Sequence, residues 1–133
     1  MAMRHFVSAM LVVVGIIHLL PVSGVLGAER LMSLYGVSLS EPSLVLLLRH
    51  RAILFALLGL FLVFAAFKPA LQPLAFAAGF VSVVSFLWLA WPAGSQSAEI
   101  RRVFLADVVA LVCLVLGAAA FAYMRREGRL PGV

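Results

Sequence analysis

Eight side chains with chemical capability stand out in an otherwise apolar chain: His18, Glu29, Arg30, Tyr35, Arg49, His50, Arg51 and Asp107. A guanidinium beside an imidazole can bind an anionic headgroup or polarise a carbonyl such as that of a quinone, and a nearby carboxylate tunes the local charge. Charged groups deep in hydrocarbon are costly, about 2.5–3.5 kcal/mol for Arg or Asp at a helix centre, so they face inward and find partners. Asp107 and one of Arg49 or Arg51 are the natural pair. Neighbours on a helix point about 100° apart, so Arg49, His50 and Arg51 cannot all address one cavity. Arg49 shares the side of Ala52 and Ala56, which predicts that Arg49 faces the interior and that His50 or Arg51 reaches towards headgroups. The plainer alternative is structural: an Arg49–Asp107 staple between the second and fourth spans, with His18 donating to a backbone carbonyl freed by Pro21.

Other chemistries have little support. The three histidines, His5, His18 and His50, lack the paired spacing of a metal site. No nucleophile elbow or glycine-rich phosphate loop is present. The lone Cys113 permits no intrachain disulfide and no Cys-x-x-Cys pair, which excludes thiol oxidoreduction of the vitamin K epoxide reductase type. No residue is assigned a catalytic role, no metal is expected, and a non-enzymatic protein is the favoured reading.

The elements that must carry these residues follow from composition. Of 133 residues, 65% are hydrophobic and only 11% charged, with a mean hydropathy of +1.20. A soluble domain carries about 25% charged residues and needs a polar shell, whereas a lipid solvent removes that need. Apolar runs predict four membrane helices over residues 6–26, 44–67, 71–91 and 103–123. The result is an all-α integral membrane four-helix bundle, antiparallel and up-down-up-down, in a single domain. The first run also resembles a signal peptide, with Val25-Leu26-Gly27 as a cleavage-like site, but its length favours a retained span. Residues 27–43 form the long connection, with a short interfacial helix expected over residues 28–34. Lys68-Pro69 closes a tight hairpin, and Trp88 and Trp91 mark an interface.

Small residues recur at helical spacing, among them Ala52, Ala56, Gly59 and Ala66, then Ala75, Gly79 and Ser82, then Ala110, Gly117 and Ala120. They let backbones approach closely, either inside the bundle or in a homodimer. The net charge of +5 comes without a basic run or stacking aromatics, so the lipid bilayer rather than nucleic acid is the expected partner. Arg4, Lys68, Arg125, Arg126 and Arg129 fall on the side of the termini, and Arg30, Arg49, Arg51, Arg101 and Arg102 on the other. Because Arg49 and Arg51 lie within a helix rather than a loop, both termini are expected in the cytoplasm, with the 27–43 connection outside. The four-span connectivity gathers the eight polar residues at this non-cytoplasmic end, as a pocket open to one membrane face.

The segments His18-Leu19-Leu20-Pro21, Glu29-Arg30-Leu31 to Leu34-Tyr35-Gly36, and Leu48-Arg49-His50-Arg51 through Phe55 to Gly59 resemble the small bacterial four-helix membrane proteins grouped as DoxX-like or as the related uncharacterised bacterial families. The resemblance covers the first half of the chain and the four-span layout. It implies a bacterial inner-membrane protein with a quinone or membrane redox partner, and it transfers no catalytic residue. The sequence therefore points to a protein that binds a lipophilic or anionic small molecule, a quinone or a lipid headgroup, and supports a redox partner. Its rivals are a small proton-coupled transporter using Asp107 and His18, and a non-catalytic membrane assembly subunit.

Overall fold

The computed structural model describes residues 1–36, 38–94 and 97–128. Its elements are α1 (Ala2–Leu19), continued by a 3-10 helix at Leu20–Leu26, α2 (Ala28–Tyr35), α3 (Pro42–Ala66), a 3-10 turn at Pro69–Leu71, α4 (Gln72–Ala90) and α5 (Ala98–Arg126). Four segments, Ala2–Leu26, Pro42–Ala66, Pro69–Ala90 and Ala98–Arg126, are long and apolar enough to cross a bilayer. The protein is an all-α, multi-pass membrane bundle.

Helices suit this solvent because each satisfies its backbone hydrogen bonds internally. Their outer faces carry Leu46, Leu57, Phe64, Val81, Leu105 and Val112, each more than half exposed. In water such a surface would aggregate; in acyl chains it costs nothing. Trp88 and Trp91 are 77% and 82% exposed at the end of α4, the depth indole rings prefer.

The spans form a ring in chain order. Helix α1 packs against α3 and α5, α4 closes the ring against the same two, and the α1–α4 diagonal is slight. The register is antiparallel between chain neighbours: Ser8 lies by Ala66 and His18 by Phe55, while Phe76 meets Phe121 and Gly79 meets Leu114. Val7, Leu11, Val14, Leu62, Ala75, Val83, Ala110 and Leu114 fill the interior with no exposure.

Close approach is concentrated where α1 crosses α3. A Cβ placed on Gly15 would sit 2.9 Å from the Gly59 carbonyl oxygen, and one on Gly59 would sit 2.7 Å from that of Gly15. Two backbones thus touch directly, which dispersion rewards where water cannot drive association. Most of the predicted small-residue positions do line internal contacts: Ala52, Ala66, Ala75, Ala110, Gly59, Gly79 and Gly117 are buried.

Boundaries depart from expectation in the first and last spans: α1 starts at Ala2 rather than 6 and passes into a 3-10 helix after Leu19. Helix α5 starts at Ala98 rather than 103, because Ser97 caps it, its hydroxyl accepting from the Ile100 amide at 3.2 Å. It also runs on to Arg126, since a helix need not stop where the hydrocarbon does. The 28–34 interfacial helix is present as Ala28–Tyr35. Arg125 and Arg126 are exposed at the end of α5, and Arg129 lies outside the described residues.

Candidate functional site

The deepest polar group in the bundle is His18, with 1% exposure, in the last turn of α1. Its Nδ1 lies 2.9 Å from the Val14 carbonyl and its Nε2 3.0 Å from the Ser82 hydroxyl of α4. A carbonyl only accepts, so Nδ1 carries the proton by this assignment, and in the neutral ring Nε2 accepts from Ser82. The ring stacks on Phe55, with centroids 5.4 Å apart. Val14 lies one turn before His18, so the bonded carbonyl is not one that Pro21 releases, contrary to the sequence reading.

Arg51 enters the bundle from α3. Its guanidinium carbon lies 4.8 Å from the centre of the Phe55 ring, one turn along the same helix, 5.6 Å from that of Tyr35 and 5.7 Å from that of Phe86. For a cation that is only partly buried, such contacts are worth about 1 kcal/mol. A hydrogen bond of 3.4 Å reaches from Arg51 to the Tyr35 hydroxyl. The inward arginine is therefore Arg51, and the expectation for Arg49 is corrected. Arg49 is exposed, its Nε donating to the Val25 carbonyl at 2.9 Å. The small residues explain this reversal. Ala52 is packed close to Gly24, so that side of α3 has no room for a guanidinium, which must leave beside the 3-10 extension. The side with space is the one Phe55 lines.

Asp107 projects from α5 and is 6% exposed. Among the described residues its carboxylate makes no hydrogen bond or ion pair; Arg51, whose field reaches it, stands across the same cavity. The Arg49–Asp107 staple is not formed.

The cavity between them measures about 250 Å³. Its polar lining is His18, Tyr35, Arg51, Asp107, Glu99 and Arg102, and the rest is chiefly apolar, from Ile17, Leu20, Phe55 and Ala106. Four of the eight predicted residues thus converge. Glu29, Arg30, Arg49 and His50 do not line it and are exposed.

Helix α2 roofs the cavity with Ser33, Leu34 and Tyr35. It ends at Gly36 in the left-handed region, φ 62°, where glycine is favoured, and the Glu99 carboxylate packs against that glycine. The Ser97 hydroxyl donates to the Tyr35 carbonyl at 2.7 Å, so one side chain caps α5 and anchors the roof. Leu31, Tyr35 and Leu39 form a small apolar cluster beneath it.

Compared with protein families, curated proteins and solved structures, the chain shows no match. The site stands on its own geometry.

Sequence reasoning missed Phe55, Ser82, Glu99 and Arg102. Phe55 carried a usable signal, being four residues from Arg51 on one helix face. Glu99 carried another, as an acid in the first turn behind a Ser cap. Ser82 was read only as a small packing residue, and nothing in its neighbourhood distinguishes it. Among the described residues no three His, Cys, Asp or Glu side chains come together as a metal site. Cys113 is half-buried and packs against the core.

Proposed function

We propose that this protein binds a lipophilic small molecule in the one-sided polar cavity beneath α2, with a quinone or a lipid headgroup as the chemistry to test first. The observation that carries the reading is Asp107: a residue only 6% exposed, whose carboxylate makes no hydrogen bond or ion pair among the described residues and opens onto a cavity that Arg51 also lines. A carboxylate that fastened helices would be bonded to protein, whereas this one is left facing space. The cavity's apolar walls favour a ligand with more hydrocarbon than charge.

In this proposal the chain is a DoxX-like protein of the bacterial inner membrane that supports a membrane redox partner rather than catalysing a reaction itself. Both termini lie in the cytoplasm. Support for the orientation comes from charge: with Arg49 and Arg51 engaged by the protein, Arg4, Lys68, Arg125 and Arg126 remain exposed at one end against Arg30, Arg101 and Arg102 at the other. The rival transporter reading needs His18 to exchange protons with Asp107. Both His18 ring nitrogens are already engaged, which weighs against it.

The test is thermal unfolding of the purified protein against quinones and anionic lipids. A ligand at a hundred times its Kd adds about 2.7 kcal/mol, a shift readily measured. Saturable stabilisation that Asp107→Leu weakens is the expected result. A flat response of the wild-type protein to the whole panel overturns the proposal.

A further inference from the structure

A second cavity of about 270 Å³ adjoins the first, lined by Leu44, Leu48, Phe86 and Ile100. The two share Tyr35, Arg51 and Val103, so the Arg51 side chain stands at their boundary. This side cavity lies between α3, α4 and α5, where neighbouring helices touch least. Apart from the tip of Arg51 and the Tyr35 hydroxyl its walls are hydrocarbon, and Leu44 at its edge is 39% exposed towards the lipid.

The central cavity has a different chemistry. It is balanced in charge, with Arg51 and Arg102 against Glu99 and Asp107. A ligand bearing a full charge of either sign would upset that balance in a medium where uncompensated charge is expensive. His18 has nothing left to offer, because both ring nitrogens are bonded. Of the charged groups, Arg102 is exposed and Glu99 lies against Gly36 at the end of α2; the two that stand across the cavity from each other are the Asp107 carboxylate, which as an anion only accepts, and the Arg51 guanidinium, which only donates. A group that donates and accepts through one atom satisfies both, and a hydroxyl is the simplest such group.

We infer that the occupant is a neutral amphiphile with a hydroxyl head, which donates to Asp107 and accepts from Arg51 in the central cavity while its apolar tail fills the side cavity past Arg51. The inference rests on the reading of the central cavity as a binding site and adds the head's charge, its donor and the route of its tail. Arg51 can accommodate the passage because its polar bond to Tyr35 is long, at 3.4 Å, and its remaining contacts are ring faces.

The experiment uses the full chain in phosphatidylcholine nanodiscs and reads saturable shifts in the unfolding midpoint with three probes sharing one tail: 4-octylphenol, 4-octylanisole and octyl phosphate. The expected result is that 4-octylphenol binds roughly tenfold more tightly than the anisole, which lacks the donor, and more tightly than the phosphate. Asp107→Leu should bring the phenol and the anisole within about twofold of each other, as expected when the hydrogen-bonded partner is gone. Phe86→Trp, which fills the side cavity, should weaken 4-octylphenol roughly tenfold and leave tail-less phenol unchanged; Leu48→Phe is the second variant should the first not fold. Tighter binding of octyl phosphate, or equal binding of phenol and anisole by the wild type, overturns the neutral-donor inference and leaves the binding site standing. Loss of 4-octylphenol and phenol alike in the side-cavity variants overturns the tail's route. No saturable shift with any probe overturns the binding site itself and the inference with it.

Discussion

The two ends of the bundle handle polar groups in opposite ways. At the end of the termini, Ser8 and Gln72 both donate to the Ala66 carbonyl, at 2.5 and 3.1 Å, tying α1 and α4 to the last turn of α3. A hollow of about 390 Å³ lies beside them, yet the buried amide that borders it is spent on backbone. At the other end Asp107 is as deeply placed as Gln72, 6% against 4% exposed, and is given no such partner. The contrast separates two uses of a costly buried polar group. One closes a helix end that would otherwise leave a carbonyl unsatisfied; the other faces a cavity.

The sharpest way to break this contrast is through packing. Phe76, 5% exposed against Phe121 near the terminal end, should lose about 3–4 kcal/mol on Phe76→Ala, whereas Phe55→Ala, beside an existing cavity, should lose about 1–2 kcal/mol. Equal losses in reversible unfolding from mixed micelles would show the two ends to be alike. Next in size, Gln72→Leu should destabilise the protein by about 1–2 kcal/mol, because the Ala66 carbonyl loses a donor. Asp107→Leu should change stability by less than about 0.5 kcal/mol, since it removes no hydrogen bond to protein. An Asp107→Leu protein as damaged as Gln72→Leu would mean that the carboxylate is a fastener after all.

Smaller effects sharpen the picture of the polar end. Ser82→Ala should cost about 0.6 kcal/mol, the usual worth of a hydrogen bond between membrane helices, and ¹⁵N spectra of the imidazole should report Nε2 released. Smallest of all, Arg49→Ala should change stability by less than about 0.5 kcal/mol, against about 1 kcal/mol for Arg51→Ala, which loses its ring contacts. The reverse order would restore Arg49 to the interior.

The fold was largely legible because membrane helices announce themselves through sustained hydropathy, which is why the four spans fall where the apolar runs lie. What hydropathy could not give was the extent of α5, since a Ser97 cap and charged flanks extend a helix without any apolar signal. In the site, His18, Tyr35, Arg51 and Asp107 were legible from the cost of burying them. The choice between Arg49 and Arg51 was not. Angular position on a helix tells which residues share a side, but the side of Ala52 and Gly59 is filled by a neighbouring backbone, and only the packed partner reveals that. Ser82 reaches His18 through tertiary placement alone.

The bare meeting of Gly15 and Gly59 carries one more implication. A single methyl group at either glycine would meet the opposing carbonyl oxygen, so the cost of Gly15→Ala or Gly59→Ala falls on backbone and is met only by moving α1 away from α3.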